Sequence, residues 1–239
     1  MRGSLKSRPL SHSAPIHLRP TAPLAERVLL PGDPGRALLL AQALLEKPLM
    51  FNHHRGLWGY TGTAADGEQL TIQATGMGGP SAAIVLEELI VLGARRAIRV
   101  GTCGALASGL ELGELVIASE AICADGTSRA LGAGERACAD AALTAALARA
   151  APAARKGPVA SVDLFYDRGS SRLPDGAVAV EMEAAALFTV GRAAGAAVAC
   201  ALAVTDVFDE TGARTRIEES ALLEAAERMG RVALAALSR

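Results

Sequence analysis

Residues 27–36 read Arg27-Val28-Leu29-Leu30-Pro31-Gly32-Asp33-Pro34-Gly35-Arg36. A short apolar run suits a buried strand, and the prolines and glycines after it stop the strand in a turn. A helical stretch follows to about Glu46. The same alternation continues down the chain. Two β-like runs, 58–62 and 69–74, flank the turn Ala65-Asp66-Gly67. The glycine-rich loop 76–81 leads into apolar residues at helical spacing over 82–92, with Gly93 as a natural C-cap. Further strands are expected at 97–100, 114–119, 159–162, 177–181 and 196–205. Helices are expected over 135–151, 182–194 and 217–237. Strands alternating with helices predict an α/β fold: a single-domain, three-layer α/β/α arrangement around a central mixed, mostly parallel sheet.

The chain has 239 residues, with 24 Lys plus Arg against 25 Asp plus Glu, a net charge of −1. That balance excludes a strongly basic nucleic-acid binder and a polyacidic tail protein. Hydrophobic residues reach 51% and aromatics only 3%, so the core must be aliphatic. No Pro/Gly/Ser linker divides the middle, so we expect residues 1–14 as a flexible N-terminal tail and 15–239 as one domain. The basic start has no apolar segment of a secretory signal, and no run of 18 apolar residues escapes interruption. Cys103, Cys123, Cys138 and Cys200 form no C-x-x-C pair, which argues against a zinc site or disulfide framework. His53-His54 reads as a loop pair, so no metal is expected. The expected compartment is the reducing cytoplasm, with no membrane and no nucleic acid as partner.

Four loops that follow strands carry chemistry. Ligands of such sheets sit beyond the strand C-termini, where backbone amides are free. Gly32-Asp33-Pro34-Gly35-Arg36 joins a strand to a helix N-terminus, where a glycine backbone and a guanidinium suit an anion. Arg99-Val100-Gly101-Thr102-Cys103-Gly104 places a charge in an apolar strand, which is costly unless an anion or carboxylate pairs with it. Glu181-Met182-Glu183 ends another strand with two acids, which suit the vicinal hydroxyls of a sugar or decorate a helix N-terminus. Thr205-Asp206 ends the longest apolar strand. An aspartate there serves as a general acid or as a helix cap. Competing motifs fail: Gly76-Met77-Gly78-Gly79-Pro80-Ser81 lacks the third glycine of G-x-G-x-x-G, and the chain has neither a P-loop nor a G-x-S-x-G elbow.

Together the blocks PGDPGRA (31–37), HRGLWGYTG (54–62), TGMGGPSAAIVLEEL (75–89), IRVGTCGA (98–105), SVDLFY (161–166), VEMEAAALF (180–188) and VTD (204–206) resemble the trimeric–hexameric purine nucleoside and uridine phosphorylase family. The blocks fall in the family's order from about Pro15 to the C-terminus. The resemblance implies cleavage of an N-glycosidic bond by inorganic phosphate as co-substrate, without a cofactor. It implies that Gly32, Arg36, Arg99, Val100, Gly101 and Thr102 hold phosphate, with Arg55 reaching it from a neighbouring subunit. Glu183, with Glu181 and Met182, would hold the ribose. His17 would contact its 5′ end across the interface. Phe165 would stack on the base, beside Cys103, Gly104 and Thr205, and Asp206 would protonate purine N7. The implied assembly is a homo-oligomer, a trimer of dimers, with shared active sites.

The sequence also departs from that pattern. Where purine enzymes of the family often carry an arginine that assists the aspartate, this chain has Glu218-Glu219-Ser220, with Arg214 and Arg216 nearby. The segment 167–177 is shorter than in many relatives. The Gln-x-Arg pair that reads uracil is absent from Asp167-Arg168-Gly169-Ser170. With Asp206, this favours purine nucleosides as substrates, with methylthioadenosine phosphorylase and uridine phosphorylase as alternatives. A nucleosidase and a non-catalytic nucleoside-binding protein are more distant readings.

Overall fold

The computed structural model describes residues 14–166 and 173–238. Strand β1 (Arg27–Leu30) has all four residues buried and runs parallel to both β4 (Gln69–Gln73) and β5 (Arg96–Ala105). Beyond β4 the sheet ends in the antiparallel strands β3 (Gly59–Ala64) and β2 (Leu45–Asn52). On its other side β5 pairs in parallel with β10 (Ala197–Phe208). Strand β10 pairs antiparallel with β6 (Leu115–Cys123) and with the short β11 (Arg214–Arg216). Strand β6 carries β7 (Arg136–Cys138) antiparallel and β8 (Arg155–Ser161) parallel. Strand β9 (Ala179–Glu181) runs parallel to β8 and returns antiparallel to β5. The mixed sheet therefore closes on itself through β5, β10, β6, β8 and β9. Closure brings Gly104 opposite both Val180 and Asp206, so three strand ends meet at one place.

Two helical layers cover the sheet. Helices α1 (Pro34–Leu44), α4 (Ala141–Ala150) and α6 (Glu219–Leu237) set Leu40, Leu147, Ala233 and Leu237 against Leu29, Ile98 and Ile117. Helices α2 (Gly79–Leu92) and α5 (Ala184–Ala194), with the short α3 (Gly126–Ala130) beside them, set Leu86, Leu187 and Phe188 against Val28, Leu30 and Leu202. The alternation of β10 serves both layers. Ala199, Ala201 and Ala203 face the α6 side, and Val198, Cys200, Leu202 and Val204 face the α5 side, as the two-residue period of a strand requires. The small row lets α6 approach closely, and in α6 itself Gly230 leaves room for Leu40. The expected three-layer α/β/α arrangement is what forms.

Three short elements differ from the sequence expectation. The helix expected to run to Glu46 stops at Leu44, and β2 follows at the sheet edge. Pro48 removes a ladder donor there, and the β2–β3 register shifts around it. The helix expected over 135–151 starts only at Ala141, where Asp140 caps it by accepting from the Leu143 amide at 2.9 Å; β7 precedes it. Strand β11 is exposed at all three residues and has no apolar pattern to announce it. Among the described residues no helix is long and apolar enough to cross a membrane.

At the edge opposite the strand C-termini, buried Arg27 holds Asp66 through Nη1 at 2.5 Å and Nη2 at 2.6 Å, and the Ser238 hydroxyl adds a bond at 2.6 Å. This ties β1, the β3–β4 turn and the end of α6 together. The Arg27 hydrogen bonds are the main reason the Asp66 carboxyl lies well below the usual carboxylate range. A value depressed by folding stabilises the fold fully above the unfolded value of about 4 and loses that contribution as pH falls below it. Asp66→Asn should therefore lower Tm at pH 7, with the gap to the parent narrowing between about pH 4 and 2.5. Thermal melts across that range check it, and a gap that does not change with pH would rule it out.

Candidate active site

Arg99 lies in the middle of β5 and is 3% exposed. A guanidinium there needs acids, and the end of β9 and the residue before α5 supply one each. Arg99 Nε donates to Glu181 Oε2 at 3.0 Å, and Nη2 pairs with Glu183 Oε2. Burial works to lower the Arg99 pKa, but the Glu183 and Glu181 charges outweigh it and raise the value, so the guanidinium stays charged. Gly101 makes the geometry possible. A Cβ at Gly101 would fall 2.6 Å from Arg99 Cζ, so the guanidinium lies back over the bare backbone of its own strand.

The two acids have different roles. Glu181 is fully enclosed, and its oxygens also accept from the Ser161 hydroxyl at 2.5 Å and from the amides of Glu183 and Ala184 at 2.9–3.0 Å. Each oxygen of the Glu181 carboxylate, expected beside the sugar, accepts from protein donors. Glu181 aims Arg99 and satisfies the first amides of α5. Glu183 closes the pocket from the other side. Its Oε1 accepts from the Gly78 amide at 2.5 Å, which joins the glycine-rich loop before α2 to the β9–α5 junction. Gly78 holds φ +84°, a conformation that favours glycine.

Arg36 faces this pair from the start of α1. Asp33 caps the helix by accepting from the Arg36 amide at 2.8 Å, with Pro34 preset for the first turn. Burial is the largest cause lowering the Arg36 pKa, the nearby Arg99 charge adds to it, and Asp33 and Glu183 oppose it. Among the described residues, Arg36 Nη1 and Arg99 Nη1 are both buried without a hydrogen-bond partner. A Cβ at Gly32 would meet the Gly76 carbonyl at 3.3 Å, so the loop before α1 also packs backbone to backbone. Two adjacent guanidiniums with unused donors thus stand beside a helix N-terminus and bare glycine backbone, groups whose chemistry suits an anion.

The third strand end holds Asp206. The β5–β10 register shifts between Val204 and Asp206, and that irregularity at Thr205 turns Asp206 to stand opposite Gly104. Arg214 Nε donates to Asp206 Oδ1 at 2.6 Å, and Arg216 Nη1 donates to Oδ1 at 3.1 Å and Oδ2 at 3.3 Å. Both arginines come from β11, which pairs Arg216 with Asp206 and Arg214 with Phe208. Thr205 Oγ1 lies 2.8 Å from Asp206 Oδ2 and 3.2 Å from the Cys103 carbonyl. Its single hydrogen serves one of these at a time. When it points to the carbonyl, Oγ1 can accept from a protonated Asp206, so the hydroxyl suits either form of the acid. Arg214 also stacks over the half-exposed Phe165 ring at 4.9 Å.

The remaining expected residues fall into three places. Val100 and Cys103 bury their side chains in the core, and burial pushes the Cys103 thiol up, so at this site both offer backbone only. Gly104 packs against Val180 with no room for a Cβ beyond 3.3 Å. Thr102 and Met182 are partly buried beside Gly101 and the two glutamates. His17 and Arg55 join neither the phosphate-like cage nor Asp206. They gather with Arg19, His53 and His54 at another edge, where burial first and then these four charges lower the His54 pKa. Arg55 is exposed in a tight turn at φ +61°. Of the shortened segment 167–177, residues 167–172 lie outside the described residues. Sequence reasoning missed the Gly78 amide, the Ser161 hydroxyl and Glu88, the side-chain partner of His17, and it named Arg214 and Arg216 near the aspartate without choosing between them. Only their place within quoted blocks marked the first three.

Comparison with known proteins agrees with this geometry. The family model described as "Phosphorylase superfamily" matches residues 26–238. A curated relative named purine nucleoside phosphorylase DeoD-type, from Geobacillus kaustophilus, is 38% identical over 213 residues, covering 83% of this chain and 88% of its own. A second of that name, from Alkaliphilus metalliredigens, is 37% identical over 208 residues, covering 82% and 88%. Among solved structures, uridine phosphorylase from Vibrio fischeri, complexed with 6-hydroxy-1-naphthoic acid, superposes with a TM-score of 0.79 at 28% identity, covering 90% of this chain and 91% of that one. With the family model spanning most of the chain and the buried arginine–glutamate cage at its strand ends, this protein belongs to the phosphorylase superfamily of nucleoside phosphorylases.

Proposed function

We propose that this chain catalyses the phosphorolysis of purine ribo- and deoxyribonucleosides, releasing the free base and the pentose 1-phosphate. The observation that carries the proposal is the pair of buried, unpartnered guanidinium nitrogens on Arg36 and Arg99 beside Glu183. A phosphate dianion fits those donors, with Gly32 and the Gly101-Thr102 backbone around it. Glu183 then has one role on each side: it balances Arg99 and accepts from the ribose hydroxyls. As the glycosidic bond breaks, positive charge grows on the sugar, and the adjacent phosphate both stabilises it and forms the new C1′–O bond.

Asp206 delivers a proton to N7 of the departing purine, with Thr205 able to accept or release the matching hydrogen bond. Arg214 and Arg216 hold the acid in place, and Phe165 forms the wall of the base subsite. This base end favours purines over uracil, as the name shared by the curated relatives also does. Arg55 and His17, gathered away from the cage of their own chain, serve the site of a neighbouring copy. The working assembly is a trimer of dimers in the cytoplasm, with phosphate as co-substrate and no cofactor.

Three outcomes follow from this assignment. Base release should require phosphate. Arg36→Ala should raise the phosphate KM about 10- to 100-fold, the equivalent of one charge-assisted contact of about 1.5–3 kcal/mol. Gly101→Ala, which forces the Arg99 guanidinium from its place, should act in the same direction. Equal base release with and without phosphate would assign the site to a hydrolase instead.

Mixing His17→Ala subunits with Asp206→Asn subunits should restore part of the activity that each lacks alone, because some mixed sites draw two intact halves. Steady-state rates of reassembled mixtures measure this. A fully active monomer in sedimentation at assay concentration would contradict sharing.

Asp206→Asn should lower kcat on natural purine nucleosides about 10²- to 10⁴-fold, the usual range for a general acid. A nucleoside already charged at the base, such as 7-methylguanosine, needs no such proton and should lose far less. Equal losses on both would leave Asp206 a positioning role only.

A further inference from the structure

Glu88 stands on α2, 71 residues along the chain from His17, and its carboxylate gathers the segment that carries that histidine. Oε1 accepts from the Ile16 amide at 3.0 Å, and both oxygens accept from the His17 amide at 3.0 Å. Oε2 accepts from the Leu18 amide at 2.7 Å. The fourth donor is the His17 ring itself, with Nδ1 2.7 Å from Oε1. The glutamate side chain is 14% exposed and the histidine 33%. Burial alone would raise the Glu88 pKa, but the amides of His17 and Leu18, the His17 ring and the Ile16 amide together hold it below the ordinary value. An ionised carboxylate has no hydrogen to give, so Nδ1 must carry the proton of this bond. In the neutral ring, Nε2 is then an acceptor only. Among the described residues nothing bonds to Nε2.

We propose that Glu88 is the positioning residue that fixes the orientation and tautomer of His17, and that through it the enzyme selects nucleosides bearing a 5′-hydroxyl over 5′-deoxy and 5′-methylthio analogues. The proposal rests on the reading that His17 serves the 5′ end of the nucleoside. A 5′-hydroxyl donates to the Nε2 lone pair. A methyl group or a thioether has no hydrogen bond to give it, so the analogue leaves that nitrogen unpaired. Without the Glu88 carboxylate the ring is free to turn and to take the other tautomer, in which Nε2 carries the hydrogen and has no lone pair to offer, so Glu88 is what keeps an acceptor at that position.

The test is the ratio of kcat/KM for a purine nucleoside to that for its 5′-deoxy counterpart, measured at pH 8. The parent should favour the hydroxyl about three- to tenfold, the range of one net hydrogen bond. Glu88→Ala should remove most of that preference, His17→Ala should remove it as well, and the double variant should remove no more than His17→Ala. If Glu88→Ala slows both substrates alike and leaves the ratio intact, Glu88 only supports the fold and the proposal falls. If His17→Ala itself leaves the ratio intact, the placement of His17 at the 5′ end fails first. Nitrogen-15 NMR of the unaltered protein gives an answer that does not depend on any variant folding. At pH 8 the His17 ring should show a protonated Nδ1 and a bare Nε2, and the reverse pattern would overturn the assignment.

Discussion

The ion pair of Arg99 with Glu181 and Glu183 is the constraint from which the site is built. A guanidinium in the middle of a buried strand is tolerated only with charged partners at hydrogen-bonding distance. Two glutamates, two positions apart, supply them from a strand that touches β5 only because the sheet closes through β9. Strand β9 is three residues long and pairs with β5 at just Gly104 and Ala105. The ion pair therefore ties the β9–α5 junction to the sheet where the backbone ladder is short. Removing Arg99 would leave two buried carboxylates facing each other, so its role in the fold and its role toward an anion are inseparable. Arg36, which has no such pair, is where the anion function can be tested alone.

Under the proposed function, the layout along β5 and β10 orders the substrate. Arg99 lies back over Gly101, with Arg36 facing it from α1, and this marks the phosphate end. Glu183 bridges Arg99 and the Gly78 amide, and so lies between the glycine loop and the cage. Asp206, opposite Gly104, marks the far end with Phe165 and Arg214. On that proposal, phosphate, sugar and base follow the direction of one parallel strand pair. The rigid part of the site sits on these strand ends. Its exposed aromatics, Phe165 and Tyr166, come from a loop.

Most of this was legible in the sequence because buried strands and glycine turns leave strong local marks. The runs RVLL and AVACALAV, the stop at Pro31-Gly32 and the charge of Arg99 amid apolar residues each read directly. What was not legible depends on partners far along the chain. Glu181 and Glu183 look alike as two acids at a strand end, yet Ser161 and the amides of α5 enclose the first, and Gly78 leaves the second at the pocket. Strand β11 has no apolar period, since its Arg-Thr-Arg is shaped by Asp206 rather than by a core. Strand β2 was hidden because Pro48 breaks its pattern. The helper role that seemed missing at Glu218-Glu219-Ser220 has candidates earlier, in Arg214 and Arg216. An antiparallel pairing brings them to Asp206, so no fixed spacing along a helix would have found them.

The cage also separates phosphorolysis from hydrolysis on energetic grounds. A buried donor left without a partner costs about 1–3 kcal/mol, and more when it is charged. Arg36 and Arg99 each keep one such nitrogen, and their like charges act on each other. An enzyme that adds water to the sugar would carry that cost with no return, because water brings no charge to balance two guanidiniums. A phosphate dianion satisfies both nitrogens at once and brings an anionic oxygen beside the carbon where positive charge develops. On the proposed function, the strain of holding two arginines together is recovered when phosphate binds, and that recovery favours phosphate over water as the nucleophile.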